Sequence, residues 1–168
     1  MIHTFKGITP YLAEGVFVVE SAEIIGDVRI GEMSSLWFNV VVRGDVNHIR
    51  IGKRTNIQDG TVVHVTHKKH PTIVGDDVTI GHNVTLHGCR IGDRCLIGMG
   101  AVVMDGVEIG NDVLIAAGSL VTPGTRIPDG TLFAGAPARL KRELKESEIL
   151  DLKHSAEHYL AYVQEYRS

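Results

Sequence analysis

The stretch IGDRCLIGMGAVVMDGVEIGNDVLIAAGSLV, residues 91–121, returns an aliphatic side chain every six positions: Ile91, Ile97, Val103, Ile109, Ile115 and Val121. A period of six matches neither the 3.6-residue turn of an α-helix nor the two-residue alternation of a lone strand. It is the spacing of a hexapeptide parallel β-helix, in which each hexad makes one short strand and a turn and three hexads close a triangular coil of ~18 residues. The register extends forward through Ile127 to Phe133. Backward it is found in three shorter runs: Val18, Ile24, Ile30, Leu36 and Val42; Ile51, Ile57 and Val63; and Val74, Ile80 and Leu86. Together these make about six coils. The aliphatic residues are expected to point into the prism. The glycines that follow many of them, such as Gly31, Gly52, Gly92 and Gly110, are expected to let the chain turn its corners. A β-sandwich with regular turns does not require six-residue spacing held this long.

Composition agrees. The chain has 168 residues, 19 of them glycine, and only 5% aromatics, so the core must be narrow and filled by mid-sized aliphatics. The net charge of −3, with both signs scattered, argues against a nucleic-acid footprint and a polybasic membrane anchor. No 18-residue apolar run and no signal-peptide core occur, so a soluble cytoplasmic protein is expected, with no membrane association. Cys89 and Cys95 read as small buried hydrophobes. A disulfide is not expected in the cytoplasm, and no zinc-knuckle spacing is present.

The repeat ends near FAGAPARL, residues 133–140. Beyond it, Ile149, Leu152, Ala156, Tyr159, Leu160 and Val163 recur at helical spacing, with Ser147 as the expected N-cap. The expected organisation is one domain: a β-helix over residues 1–137, and residues 138–168 as a C-terminal α-helix packed along its side.

Three breaks in register locate the chemistry. Three residues are inserted around RGDVNH (43–48), five within HVTHKKHPT (64–72), and one is missing between Leu86 and Ile91. Corrected for these, His64 after Val63 and His87 after Leu86 share one corner on adjacent coils, ~4.8 Å apart, with Arg43 after Val42 below them. Two imidazoles across that gap can share a metal ion. His82, two residues after Ile80, belongs to another edge, where Asp59 stacks beneath it with Gln58 alongside. The core separates the two columns within one chain. A parallel homotrimer, a closed heterologous ring, would bring His82 of one subunit to His64 and His87 of the next, and three histidines around an open position is the layout of a catalytic zinc site. His67 and His70, in the inserted loop, are candidates for proton relay or for plain solvation with Lys68 and Lys69. Asp59 and Asn56 are candidates for fixing the ligand tautomers.

These residues resemble the gamma-class carbonic anhydrases and their bacterial relatives. RGD at 43–45, NIQDG at 56–60, His64, and GHNVTLHGC with His82 and His87 follow that family's pattern in order and spacing, across nearly the whole chain. The resemblance implies an all-β fold, a left-handed parallel β-helix of hexapeptide repeats with a C-terminal α-helix. It further implies a homotrimer with interfacial metal sites ligated by His64, His82 and His87. The activity implied is reversible hydration of carbon dioxide to bicarbonate by a metal-bound hydroxide, with Zn2+ as the expected ion and Fe2+ or Co2+ as alternatives. Arg43 and Asp45 would support the interface and bicarbonate, Gln58 and Asp59 would hydrogen-bond near the nucleophile, and Tyr159 of the tail helix would reach the pocket. The sequence departs from the best-characterised members at Val46, where they carry a glutamate directly after the RGD aspartate. It also departs at the short basic loop THKKH, where those members have a longer acidic loop bearing a proton shuttle, and so it resembles the shorter relatives. Rival readings are a metal-dependent acyl-CoA thioesterase, a hexapeptide acyltransferase using a lone histidine base, and a non-catalytic metal-binding assembly module.

Overall fold

A computed structural model describes residues 1–168. Backbone ladders place the inward aliphatics in three columns, one for each face of a prism. On the first face Val18, Leu36, Ile57, Ile80, Ile97, Ile115 and Phe133 pair in parallel, coil on coil. The second carries Ile24, Val42, Val63, Leu86, Val103 and Val121. The third carries Leu12, Ile30, Ile51, Val74, Ile91, Ile109 and Ile127. The expected parallel β-helix is therefore what the chain forms. Its interior is a single aliphatic cluster in which Phe133, at the last coil, supplies the one aromatic ring. Each such side chain contributes roughly 1.5–3 kcal/mol on burial.

The inserted residues behave differently at the two sites. Those around RGDVNH are absorbed into one long strand, Val41–Ile51, which runs through the corner and joins the second and third faces into one sheet. Those after His64 form a small loop closed by a Thr66–His70 bridge.

Glycine has a different task from the one expected at the corner after the third face. Gly52 and Gly75 have ordinary negative φ, but a Cβ on Gly52 would lie 2.4 Å from the carbonyl oxygen of Gly75, and one on Gly75 2.7 Å from that of Gly92. These glycines let successive coils approach. The left-handed turn itself falls two residues later, on Arg54, Asp77, Arg94 and Asp112, with φ between 51° and 56°. Such a conformation costs roughly 1–2 kcal/mol for a residue with a Cβ. Here it is offset by two-pronged contacts between coils: Arg54 donates to both oxygens of Asp77 (2.7 and 2.6 Å), and Arg94 to both of Asp112 (2.7 and 2.9 Å).

The tail departs from the expected single helix. Ala138–Glu143 is a strand that folds back antiparallel on Thr131–Gly135. The helix is Glu146–Arg167, and its N-cap is Lys145 rather than Ser147. Glu148 decides the start: its carboxylate accepts from the Lys145 amide at 2.9 Å and from both Nη atoms of Arg142 at 2.7 Å. Leu152, Ala156 and Val163 are buried, and the helix lies along the first face, where Ser155 takes the Thr79 hydroxyl at 3.1 Å. No helix is long and apolar enough to cross a membrane.

The faces differ outwardly. The first presents Ser35, Asn56 and Thr79, all buried beneath the helix. The third presents Tyr11, Arg29, Arg50, Ile73, Arg90, Glu108 and Arg126. The second presents Glu23 at its first coil and then Val41, Val62, Thr85, Val102 and Leu120, and Val62 is exposed.

Gly75→Ala is expected to destabilise the protein by about 1–3 kcal/mol in denaturant titration, because backbone must move to admit the methyl group. Gly118→Asn should leave stability near wild type, since Asn39 and Asn83 already hold the equivalent left-handed corner. Cys89 and Cys95 are free and buried, and burial pushes each thiol up to about 12. Neither should react with Ellman's reagent at pH 8 until the protein is unfolded, when both should.

Candidate metal centre

Parallel pairing sets His87 directly over His64, continuing the Val63–Leu86 rung. Their ring centroids are 5.1 Å apart, close to the strand spacing, and His64 Nδ1 lies 3.1 Å from His87 Nε2. The remaining nitrogen of each ring is held by a carboxylate. His64 Nε2–H donates to Asp45 at 3.0 Å, and His87 Nδ1–H donates to Asp105 at 3.0 Å. Carboxylates only accept, so in neutral rings the two nitrogens that face each other carry lone pairs. Positive charge between the two lone pairs at 3.1 Å joins them, either a proton, which makes the contact an N–H···N hydrogen bond, or a metal ion. Two nitrogens sharing a tetrahedral zinc at ~2.1 Å would stand ~3.4 Å apart, so the pair fits an ion with little movement.

Asp45 is itself shared. Arg43 donates to its other oxygen, so arginine, aspartate and histidine form a chain along this edge. Burial raises the Asp45 carboxyl, but hydrogen bonds from His64 and Arg43 outweigh it and hold the group below the usual carboxylate range. Asp105 is alike: burial opposes ionisation, and the Thr66 hydroxyl and His87 overcome it. Thr66 belongs to the inserted loop, so that loop is fastened to the carboxylate that orients His87. His70 packs over Gly88 and Gly106 beside Asp105, whereas His67 is exposed. Val46, where a glutamate was expected from the resemblance, packs against the core.

The second column lies at the other edge of the second face. His82 Nδ1 and Asp59 Oδ2 are 2.9 Å apart, the stacking expected one coil apart. The His82 side chain is 42% exposed, leaving Nε2 to the exterior. Gln58 is buried beside Asp59, with its amide nitrogen donating to Asn56 at 3.1 Å. Asn56 in turn donates to Thr79 at 3.0 Å, so it braces Gln58 and does not touch a histidine. Tyr159 packs on Trp37 near Asp59. Burial, with the Asp59 charge behind it, holds its phenol above the usual range and therefore protonated at neutral pH.

The structure thus brings Arg43, Asp45, His64 and His87 to one edge, and Gln58, Asp59, His82 and Tyr159 to the other. Within one chain no three ligating side chains converge. Asp105 is the residue that sequence reasoning missed. Its signal was available: Val103 stacks on Leu86, so Asp105 stands over the corner that His87 occupies. Each of the three histidines has its own aspartate, the arrangement that fixes an imidazole's tautomer and raises its basicity as a ligand.

Comparison with known proteins adds the following. Residues 88–123 match the family model "Bacterial transferase hexapeptide (six repeats)", and residues 71–103 match "Hexapeptide repeat of succinyl-transferase". The chain is 46% identical to "Carbonic anhydrase" of Geobacillus kaustophilus, over 100% of this chain and 92% of that one. It is also 46% identical to "Gamma carbonic anhydrase 2, mitochondrial" of Arabidopsis thaliana, over 93% of this chain and 58% of the relative. Among solved structures, a hexapeptide transferase family protein from Anaplasma phagocytophilum superposes with a TM-score of 0.94 at 43% identity, covering 98% of this chain and 97% of that one.

Asp105→Asn should free the His87 ring and lower zinc affinity by about 10–100-fold in chelator competition. The far-UV spectrum should not change, because the side chain lies outside the core. Unaltered affinity would show that Asp105 does not orient a ligand.

Proposed function

The chain belongs to the gamma carbonic anhydrase family, and from that premise we propose that it hydrates carbon dioxide reversibly at a divalent ion shared between subunits of a homotrimer. The ion is held by His64 and His87 of one subunit and His82 of the next. One observation carries this reading: the two histidine columns border the same face, and that face alone is apolar and uncovered. The helix occupies the first face and arginines crowd the third. Three prisms that bury Val41, Val62, Val102 and Leu120 around a three-fold axis set the His82 edge of one against the His64–His87 edge of its neighbour. An imidazole donor set suits zinc and also iron and cobalt, with zinc the first expectation.

A divalent ion bound there supplies acidity, since water coordinated to it gives up a proton far more readily. The protein's own groups do the rest. Asp45 and Asp105 keep the His64 and His87 rings in the tautomer that offers a lone pair, and Asp59 stands 2.9 Å from His82 Nδ1. Gln58 and Asp59, at the His82 edge, orient the attacking oxygen. Arg43, 45% exposed and tethered by Asp45, reaches across the interface to take the negative charge of bicarbonate. Tyr159 keeps its proton and donates a hydrogen bond at the rim. His70, beside Asp105, is the group placed to pass a proton outward, in a loop that has no acidic shuttle.

The hexapeptide transferase neighbour favours acyl transfer as the second reading. That chemistry uses one histidine as base and gives no reason for three imidazoles each backed by a carboxylate.

His82→Ala should lose its metal while keeping trimer size and far-UV spectrum. Full metal occupancy in that variant would refute the shared site. The sharper test mixes subunits. His82→Ala and His87→Ala should each be inactive in carbon dioxide hydration, whereas co-refolded equal mixtures should recover about a quarter of wild-type activity, because one interface in four then combines intact edges. No recovery on mixing would place all the ligands within one chain.

A further inference from the structure

The seam between helix and prism forms an open, aromatic-lined cavity that shares Asp59 and Tyr159 with the proposed metal centre but is otherwise built from side chains it does not use. Its volume is about 300 Å3, and it is lined by Trp37, Phe38, Tyr159, Tyr162, Tyr166 and Asp59. Trp37 forms the floor, 5% exposed, and Tyr162 and Tyr166 stand at the mouth. The rings brace one another edge to face: Trp37 meets Tyr166 at 5.1 Å and Tyr159 at 5.5 Å, and Tyr159 meets Tyr162 at 5.5 Å. The tyrosines come from the helix, and Trp37, Phe38 and Asp59 from the prism, so the cavity exists only because the two are docked.

Its chemistry selects for charge. Aromatic faces are electron-rich and attract cations. The one ionisable group in the wall besides the phenols is a carboxylate, and no lysine or arginine lines it. An anion is therefore repelled. Carbon dioxide, small and uncharged, needs neither five rings nor an aspartate. A cavity of this size is at the lower end for ligand sites, roughly 300–1,000 Å3, so a headgroup fits and a nucleotide cofactor does not. A second observation points the same way. The Arg167 guanidinium already lies over Phe17, 5.8 Å from its centroid. Phe17 packs on Trp37 at 5.4 Å and on Tyr166 at 6.2 Å, so one edge of this same cluster holds a cation.

We infer that the cavity binds an organic ammonium ion of the trimethylammonium type, with aromatic walls around the methyl groups and Asp59 as counter-ion. The inference does not rest on the metal site, although Asp59 and Tyr159 are common to both. An occupied cavity engages the carboxylate that orients His82, so cation binding and the His82 edge are coupled.

Trp37 is the only tryptophan, so its fluorescence reports from the cavity floor. The trimeric protein, metal-loaded and chelator-treated, is titrated with choline and with its uncharged isostere 3,3-dimethylbutan-1-ol. Choline should give a saturable change in the millimolar range, at least about 10-fold tighter than the alcohol, in both metal states. Tyr166→Leu and Asp59→Asn should each weaken choline about 5–10-fold. If Tyr166→Leu loosens the helix by circular dichroism, Asp59→Asn decides. Equal responses to both probes, no saturable response, or variants that bind choline as tightly as wild type would overturn the inference. Loss of carbon dioxide hydration has no bearing on this readout, so failure of the cavity and failure of the metal centre are separable.

Discussion

Everything in this molecule hangs on one constraint: each coil is hydrogen-bonded in register to the coil beneath it. The ladder that pairs Leu86 with Val63 also pairs His87 with His64. A slip by one residue would turn every inward aliphatic outward, and with it would go the histidine pair. Core packing and site geometry are thus the same restraint. The glycines that let coils approach and the Arg–Asp clamps at the left-handed corner serve that register, although none of them lies near the site.

The second theme is the use of carboxylates to set imidazoles. His64 and His87 each give one N–H to an aspartate, and His82 lies against a third, Asp59, at 2.9 Å. At the first edge this leaves two ring nitrogens facing each other, a pair that a proton or a metal ion can bridge. The third histidine, 42% exposed, lies at the other edge of that face, where in the proposed assembly another subunit would meet it. An apolar face lies between the two edges. Assembly and ion binding would then be two aspects of one event, since the same burial that brings the prisms together completes the coordination set.

Much of this was legible in the sequence because a six-residue count converts directly into position. The three columns, the stacking of His64 under His87 and of Asp59 under His82, and the helix along the side all follow from it. What was not legible depends on forces without a period. Asp105 is not marked by the hexad count, because it lies two residues past Val103, at a corner position that the aliphatic register does not specify. The strand Ala138–Glu143 escaped because it pairs antiparallel and carries no hexad. The helix start escaped because a salt-bridged Glu148, not a serine side chain, caps it. Asn56 was expected at a histidine and instead braces Gln58, since amide-to-amide contacts depend on rotamers that spacing does not specify.

The two insertions lie at the same corner: one is absorbed into the strand Val41–Ile51, whose pairing with the coil below shifts between Gly26 and Val28 and then resumes, and one is looped out between His64 and Thr72. A scaffold of this kind separates the length of its active-site rim from the rigidity of its spine. Residues can be added or deleted at that corner while the ligand rung stays where the stack puts it. The polarity and reach of the rim are therefore free to diverge among related chains, and under the proposed function the speed at which protons leave could be retuned without rebuilding the stack beneath.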